Sequence, residues 1–124
     1  LLGEEGVTVN TGAHGQREGL ATHWELWSFV RGGFPPMDAL KLATTNPSKY
    51  LGLADSIGSL EAGKLADLVI LNENPLEDIH NTEDIHQVML NGRLYDAETL
   101  AETITGDRPG IQLWWYQRPD LEIR

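Results

Sequence analysis

Apolar residues between Leu20 and about Arg31 recur at spacings of four, three and three, which is the period of one helix face. The residues of that stripe are Leu20, Trp24, Trp27 and Val30. The pair Gly32-Gly33 follows directly, and glycine is favoured just past the last turn of a helix. The pattern therefore predicts an amphipathic helix that ends at about Arg31.

Two shorter helices are predicted next. Pro36 is well placed in the first turn of the second helix, whose expected buried stripe is Met37, Leu40 and Ala43 or Thr44. In the third, Asn46 is a natural N-cap and Pro47 a natural first helical residue, and Gly52 ends the helix.

Strand patterns lie on both sides of the helices. The β-branched run 7–9 predicts a short strand, and 12–19 a loop with three glycines in eight positions. Residues 65–71 are nearly all apolar and predict a strand covered on both faces. Asn91-Gly92 predicts a type I′ hairpin between 85–90 and 93–95.

The remaining polar segments carry weaker patterns. The acidic stretch 76–84 predicts a solvated connection with one helical turn, and 96–104 predicts a short amphipathic helix. Together the elements predict a mixed α/β chain with a three-stranded β-region after the helices.

Composition narrows the classes of partner. Nine Lys and Arg against nineteen Asp and Glu give a net charge of −10, so binding to nucleic acid or to an anionic membrane surface is not expected. The absence of cysteine excludes disulfides and thiolate metal sites. No apolar run approaches the roughly 18 to 20 residues that span a bilayer. Nothing in the composition indicates a cellular location.

Five sequence runs resemble parts of metal-dependent amidohydrolases. Residues 58–71 are similar to the turn and strand that return the chain from a (β/α) barrel to a small β-domain, and 39–52 are similar to a helical segment before it. The runs Gly12-Ala13-His14-Gly15-Gln16, Gly19-Leu20 and His23-Trp24-Glu25 resemble an imidazolonepropionase-like subgroup associated with TolB-type β-propellers. The resemblance spans residues 6 to about 100.

This resemblance implies a fold and a division of the chain. The fold class is mixed α/β, the final strand-helix part of a (β/α) barrel plus the C-terminal part of a small β-sandwich (composite) domain. Residues 1–57 would hold the last barrel strand and its helices, 58–104 the C-terminal β-region, and 105–124 an aromatic tail. Because the chain enters a strand-like run without an initiator Met, we expect it to be part of a longer reading frame.

His14 is the main candidate for chemistry. Catalytic groups of (β/α) barrels lie at the C-terminal ends of strands. The resemblance places His14 at the last strand, where amidohydrolases usually have the Asp of a Gly-Thr-Asp-like triplet as metal ligand and general base. A neutral imidazole can bind Zn²⁺ or accept a proton, but it lacks the charge of a carboxylate. His14 is therefore predicted as catalytic residue and metal ligand. The alternative is a loop histidine that only bonds backbone.

His23 and Glu25 are predicted to bind substrate, because the family commonly places a similar run at the barrel mouth, where it contacts substrate or positions the loop. Two residues that are two apart in a helix do not share a face, so they cannot form a metal site together. The alternative for both is a surface or packing role.

Other polar and aromatic groups are better explained structurally. Lys64 belongs to a turn, and Asp67 is expected to accept hydrogen bonds from backbone amides. His80 and His86 lack the spacing of metal ligands and are expected to be solvated. Trp114-Trp115-Tyr116 suits packing or a subunit contact.

Two functions follow. In the first, the chain is the C-terminal fragment of a metal-dependent hydrolase that acts on carbon–nitrogen bonds of the non-peptide or cyclic amide type, and it is inactive alone. The complete form would hold a divalent metal, zinc by expectation, and a small amide or peptide-like substrate. The rest of the barrel would be its partner, and the fragment itself is not expected to hold metal tightly, because a single His cannot make a tight site. In the second, the chain is a non-catalytic assembly module that forms a homo-oligomer through the 7–9 edge strand or the aromatic tail.

Overall fold

A computed structural model describes residues 5–14, 17 and 19–111. Three helices come first: α1 (Leu20–Arg31), α2 (Pro36–Leu42) and α3 (Thr45–Tyr50). They are followed by strand β1 (Leu68–Leu71), a 3-10 helix (Ile79–Glu83), and strands β2 (Ile85–Leu90) and β3 (Arg93–Asp96). We call residues 20–50 the helical region, and the strands and their hairpin turn, residues 68–71 and 85–96, the sheet region. The chain is thus mixed α/β with an antiparallel sheet.

The first two helices begin and end where local chemistry predicts. Helix α1 ends at Arg31, and the backbone N–H of Gly32 donates to the carbonyl of Ser28. Helix α2 begins at Pro36, whose missing N–H costs nothing in a first turn. The expected single turn in the acidic connection is also present, as the 3-10 helix, and the Asp78 side chain caps it by accepting from the His80 amide.

Helix α3 differs from its prediction at its start. It begins at Thr45, with Thr44 in the N-cap position. The prediction of Asn46 as N-cap is wrong, because the Asn46 side-chain amide donates instead to the Val9 carbonyl at 3.0 Å. A tertiary hydrogen bond has displaced the local one.

The apolar core lies between the helices and the 3-10 helix. Leu26 of α1, Ala39 of α2 and Ile79 form one buried cluster. Half-buried apolar side chains pack around the cluster: Trp27, Phe29, Val30, Phe34, Leu40 and Ala43. Part of the expected α2 stripe is therefore correct, but Met37 is 49% exposed, because Ala39 and Leu42 take the inward positions.

The sheet has the order β1-β2-β3, and both pairings are antiparallel. Val69 lies opposite Val88, which lies opposite Tyr95. The turn between β2 and β3 confirms the hairpin prediction, since Asn91 has a φ of 49° and Gly92 a φ of 77°. Positive φ at both positions is the requirement of a type I′ turn.

Three strand and helix predictions are wrong for the described residues. Residues 7–9 form no strand, because a strand needs a hydrogen-bonded neighbour and none lies beside them. The predicted strand 65–71 is shortened to β1, and it is not covered on both faces, since Val69 is 54% exposed.

The short helix expected over 96–104 is likewise not formed. The Asp96 side chain accepts from the backbone N–H of Thr99 at 2.8 Å and from its hydroxyl at 2.7 Å, which closes a turn instead. Leu100 then takes a φ of 58°, a value that breaks a helix. In the described ranges, no helix has the length and apolar character needed to cross a bilayer.

Candidate functional site

The segment that carries His14 is held by side chains and carbonyls of all three helices. The Thr11 amide donates to the carbonyl of Leu42, the last residue of α2, at 3.0 Å. Asn46 of α3 donates to the Val9 carbonyl at 3.0 Å. Glu25 of α1 accepts from the amides of Gly12 and Ala13. Residues 9–13 are thus fixed at several points, and His14 is the next residue along the chain.

His14 itself is exposed. It follows directly after the two amides that Glu25 holds, so its backbone starts from a defined position while its imidazole faces open space. Within the described residues its side chain makes no hydrogen bond to backbone. A role for His14 as catalytic residue or metal ligand stays a prediction.

Glu25 binds backbone through a single carboxylate oxygen. Its Oε2 accepts from the Gly12 amide at 2.9 Å and from the Ala13 amide at 2.8 Å. Two successive amides that converge on one anionic oxygen form a compact anion-binding geometry. Sequence reasoning placed Glu25 near the site but did not identify these two donors, because a contact across twelve or thirteen residues leaves no local pattern.

His23 lies one residue from Trp24 on α1 and is half-buried. Its Nδ1 is buried and has no hydrogen-bond partner within the described part of the chain. Buried polar atoms are usually paired, so this nitrogen is suited to receive a group from outside those residues. Substrate binding by His23 and Glu25 stays a prediction.

The described residues do not by themselves fit a metal ion. Within them, no three His, Asp or Glu side chains converge. A catalytic zinc site takes three protein ligands and a water molecule. His14 offers one such ligand, so a site that used it would need the other ligands from outside the described residues.

Lys64 and Asp67 have the structural roles expected of them. Lys64 Nζ contacts Ser59 Oγ at 2.5 Å and Glu61 Oε1 at 3.2 Å within one turn. Ser59 Oγ also donates to Glu61 Oε1, and this hydrogen bond foremost, followed by the contact with Lys64, holds the pKa of Glu61 below its usual value. Asp67 Oδ1 accepts from the backbone amide of Asn91 and so ties the start of β1 to the hairpin.

The two remaining histidines, His80 and His86, are not among the predicted site residues. His86 is exposed, as expected. His80 is also exposed, but its ring lies 4.5 Å from that of Trp27, and its Nδ1 lies 2.7 Å from Asp78 Oδ1. The backbone N–H of His80 and then its side chain lower the pKa of Asp78. The expected contact residues 114–116 lie outside the described residues.

The part of the chain that contains these residues matches a known protein family. The model of the amidohydrolase family matches residues 9–95, from the tied segment to β3. The chain belongs to the amidohydrolase family. The family relationship expected from the sequence is thereby confirmed, and that family is generally metal-dependent.

Individual relatives agree with this assignment. The chain is 34% identical over 114 residues to ochratoxinase of Aspergillus niger, covering 88% of this chain and 21% of that protein. It is 50% identical over 40 residues to imidazolonepropionase of Symbiobacterium thermophilum, covering 32% of this chain and 9% of that protein. The imidazolonepropionase likeness was expected, whereas the association with TolB-type propellers stays a prediction.

A solved structure gives the same relationship in three dimensions. The putative prolidase from Bifidobacterium longum superposes with a TM-score of 0.67 at 37% identity, covering 73% of this chain and 23% of that one. This chain therefore spans less than a quarter of the length of each of these three proteins.

Proposed function

We propose that this chain is the C-terminal part of a metal-dependent amidohydrolase that hydrolyses a carbon–nitrogen bond of a small amide or peptide-like substrate. The observation that carries the proposal is the family match over residues 9–95, which begins at the segment that fixes His14. One similar structure is that of a putative prolidase, and a peptidase acts on an amide-type bond.

In the complete protein, residues 1–57 would contribute the last barrel strand and its helices, and 58–104 the C-terminal part of a composite β-domain. The segment 7–9 would gain its strand partner from the rest of the barrel. Val69 supports the same division, because an apolar residue that is exposed here would be covered by a second layer there. Most of the aromatic tail 105–124 lies outside the described residues.

His14 would act at the mouth of the barrel. Its exposed imidazole can accept a proton from an attacking water molecule or help to hold a metal ion, which would supply polarisation of the substrate carbonyl group. A site with His14 in place of the usual carboxylate is more cationic by one charge. His23, with its unpartnered Nδ1, would contact the substrate from α1.

The isolated chain is not expected to hydrolyse such substrates, because the described residues supply one candidate ligand where three are needed. Its activity would depend on the remainder of the barrel as a partner.

The first experiment is to sequence the coding DNA upstream of the codon for Leu1. We expect an open frame that encodes a strand ending in His-x-His, with further His or Lys at later strand ends. A stop codon directly upstream would overturn the proposal. The longer protein is then assayed for hydrolysis of N-acyl amino acids and Xaa-Pro dipeptides, before and after treatment with a chelator.

The matched variants are His14→Gln and His86→Gln in that longer protein. Loss of a proton-transfer group or ligand should lower kcat/KM by about 100-fold or more for His14→Gln. His86 is exposed on β2, so His86→Gln should leave kcat/KM within about twofold. Equal activity of the two variants would remove His14 from the site.

The assembly function has less support from the described residues. Residues 7–9 are not in a sheet there, so they present no preformed edge for another chain. Sedimentation of the 124-residue chain at several concentrations tests it directly. A stable dimer would favour assembly, and a monomer would argue against it.

A further inference from the structure

The side chain of Glu25 has a more specific role than substrate binding. Its Oε2 receives two backbone donors, Gly12 N–H at 2.9 Å and Ala13 N–H at 2.8 Å. A substrate that bonded to the same oxygen would have to displace at least one of them. Hydrogen bonds within the protein therefore already occupy this oxygen.

The two donors lie directly before His14 in the chain. They are consecutive, and the peptide that follows Ala13 leads into His14. Two hydrogen bonds to one oxygen fix the orientation of two successive peptide planes. The position of the Ala13 Cα atom, one residue before His14, is thereby set by a side chain of α1.

Helix α1, which carries Glu25, is anchored in the apolar core. We call the two hydrogen bonds from Gly12 and Ala13 to Glu25 the clamp. Leu26, the residue after Glu25, is buried in the cluster with Ala39 and Ile79. The Thr11 amide and the Val9 carbonyl bond to Leu42 and Asn46, but both contacts lie further from His14 than those of Glu25. In the described residues, the Glu25 contacts are the last hydrogen bonds before His14.

From this arrangement we infer that Glu25 is a positioning residue, which holds the backbone of the His14 segment in its working geometry through the amides of Gly12 and Ala13. The inference rests on the proposed function only in assigning His14 to a site. Its structural part, the clamp itself, stands on the hydrogen bonds alone. The carboxylate acts through His14 and not on the reacting atoms.

The negative charge of the Glu25 carboxylate strengthens the two hydrogen bonds of the clamp. Hydrogen bonds from amides to an ionised acceptor are roughly twice as strong as bonds between neutral groups. A glutamine at this position keeps the shape and one acceptor oxygen but loses the charge. It should hold the segment more loosely than Glu25 does, and alanine should not hold it at all.

The test is amide hydrogen exchange, followed by NMR on the 124-residue chain with wild-type sequence, Glu25→Gln, Glu25→Ala and the control Glu73→Gln. Glu73 is exposed and lies outside the helical region, which makes it a matched loss of one carboxylate. We expect protection of the Gly12 and Ala13 amides to fall about tenfold in Glu25→Gln and about 100-fold in Glu25→Ala. Protection in the middle of α1 and the Trp27 indole signal should not change.

A second readout separates positioning from mere stability. The heteronuclear NOE of the His14 amide should fall in Glu25→Ala and be partly restored in Glu25→Gln, while the denaturation midpoint of Glu25→Gln stays near that of Glu73→Gln. In the longer protein, kcat should fall and KM stay constant for Glu25→Gln. Unchanged protection of Gly12 and Ala13 in Glu25→Ala would overturn the clamp, even if the longer protein is an active hydrolase. If protection changes but the longer protein shows only a rise in KM at unchanged kcat, the positioning role is overturned. An inactive longer protein would count against the proposed function and not against the clamp.

Discussion

The helical region and the sheet region bury their apolar side chains to different extents. Leu26, Ala39 and Leu42 of the helical region are all buried, whereas Val69 and Leu90 of the sheet region are more than half exposed. The helices pack on each other and on the 3-10 helix, while the sheet is held mainly by its hydrogen-bonded ladders. A sheet with apolar faces needs a second layer, and the described residues provide only part of one.

The largest expected effect tests this difference directly. Leu26 is 5% exposed in the core cluster, so Leu26→Ala should lower the free energy of unfolding by about 2 to 4 kcal/mol through the cavity that it leaves. Val69→Ala, at an exposed position of β1, should cost less than about 1 kcal/mol. Urea denaturation measures both. Equal losses would mean that the sheet is covered, and a dependence on protein concentration would then identify a second copy as the cover.

A second pair of variants probes the junction between the two regions. Gly58 has a φ of 93°, and a Cβ atom there would lie 2.6 Å from the Cβ of Ser48 and in contact with its Oγ. Gly63 has a similar φ of 96°, but a Cβ atom added there would have no other atom within 4 Å. Gly58→Ala should cost about 2 to 4 kcal/mol, the sum of backbone strain and overpacking, and Gly63→Ala about 1 kcal/mol. Thermal unfolding that gives equal values would show that Ser48 moves aside freely.

The third prediction concerns the bond that joins α1 to the 3-10 helix. Trp27 Nε1 donates to Thr82 Oγ1 at 3.2 Å, and Thr82 is buried. Trp27→Phe keeps much of the ring but removes the donor, so it should cost about 1 to 2 kcal/mol. Trp24 lies on the same helix and is exposed, so Trp24→Phe should cost less than about 0.5 kcal/mol. If chemical denaturation finds no difference, the indole hydrogen bond does not stabilise the junction.

The smallest expected effect is a dependence on pH at the end of the sheet region. Glu102 is 4% exposed, and its carboxylate accepts from the hydroxyl and amide of Thr105 and from the amides of Gly106 and Ile104. These bonds, that of the Thr105 hydroxyl foremost, lower the pKa of Glu102 below its ordinary value of 4.5. A carboxyl with a lowered pKa in the folded state stabilises the fold above its unfolded pKa and loses that contribution as the pH falls through the folded value.

The urea midpoint should therefore drop below about pH 4.5 more for the wild-type chain than for Glu102→Gln, which has no carboxyl group to protonate. Glu98→Gln, an exposed neighbour, serves as the control and should follow the wild type. Parallel pH profiles for the wild-type chain and Glu102→Gln would show that the carboxylate contributes nothing to the folded state.

Much of the fold was predictable because it depends on local chemistry. The apolar period of α1, Pro36 at the start of α2 and the Asn91-Gly92 turn each act within a few residues. The family relationship was also predictable, since it is carried by runs of sequence. The same local rules failed at Asn46, where a cap competed with a hydrogen bond to Val9, and at Asp96, where a side-chain turn replaced a helix.

The sequence named His14, His23 and Glu25 as candidate site residues, and their roles stay predictions. It could not indicate that the Glu25 carboxylate would bond to the amides of Gly12 and Ala13. Contacts of this kind depend on how α1 lies against the segment before it, and that arrangement is decided by the packing of Leu26, Ala39 and Ile79.

The sequence by itself determined helices α1 and α2, the hairpin, the absence of thiol chemistry and the family of this chain, because each follows from residue types or from runs of neighbours. The tertiary structure alone decided which residues are buried, which predicted strand finds a partner, and which atoms hold His14. The physical reason is that burial and long-range hydrogen bonds depend on elements that meet in space. Residues 7–9 have the composition of a strand, and only a neighbouring strand can make them one.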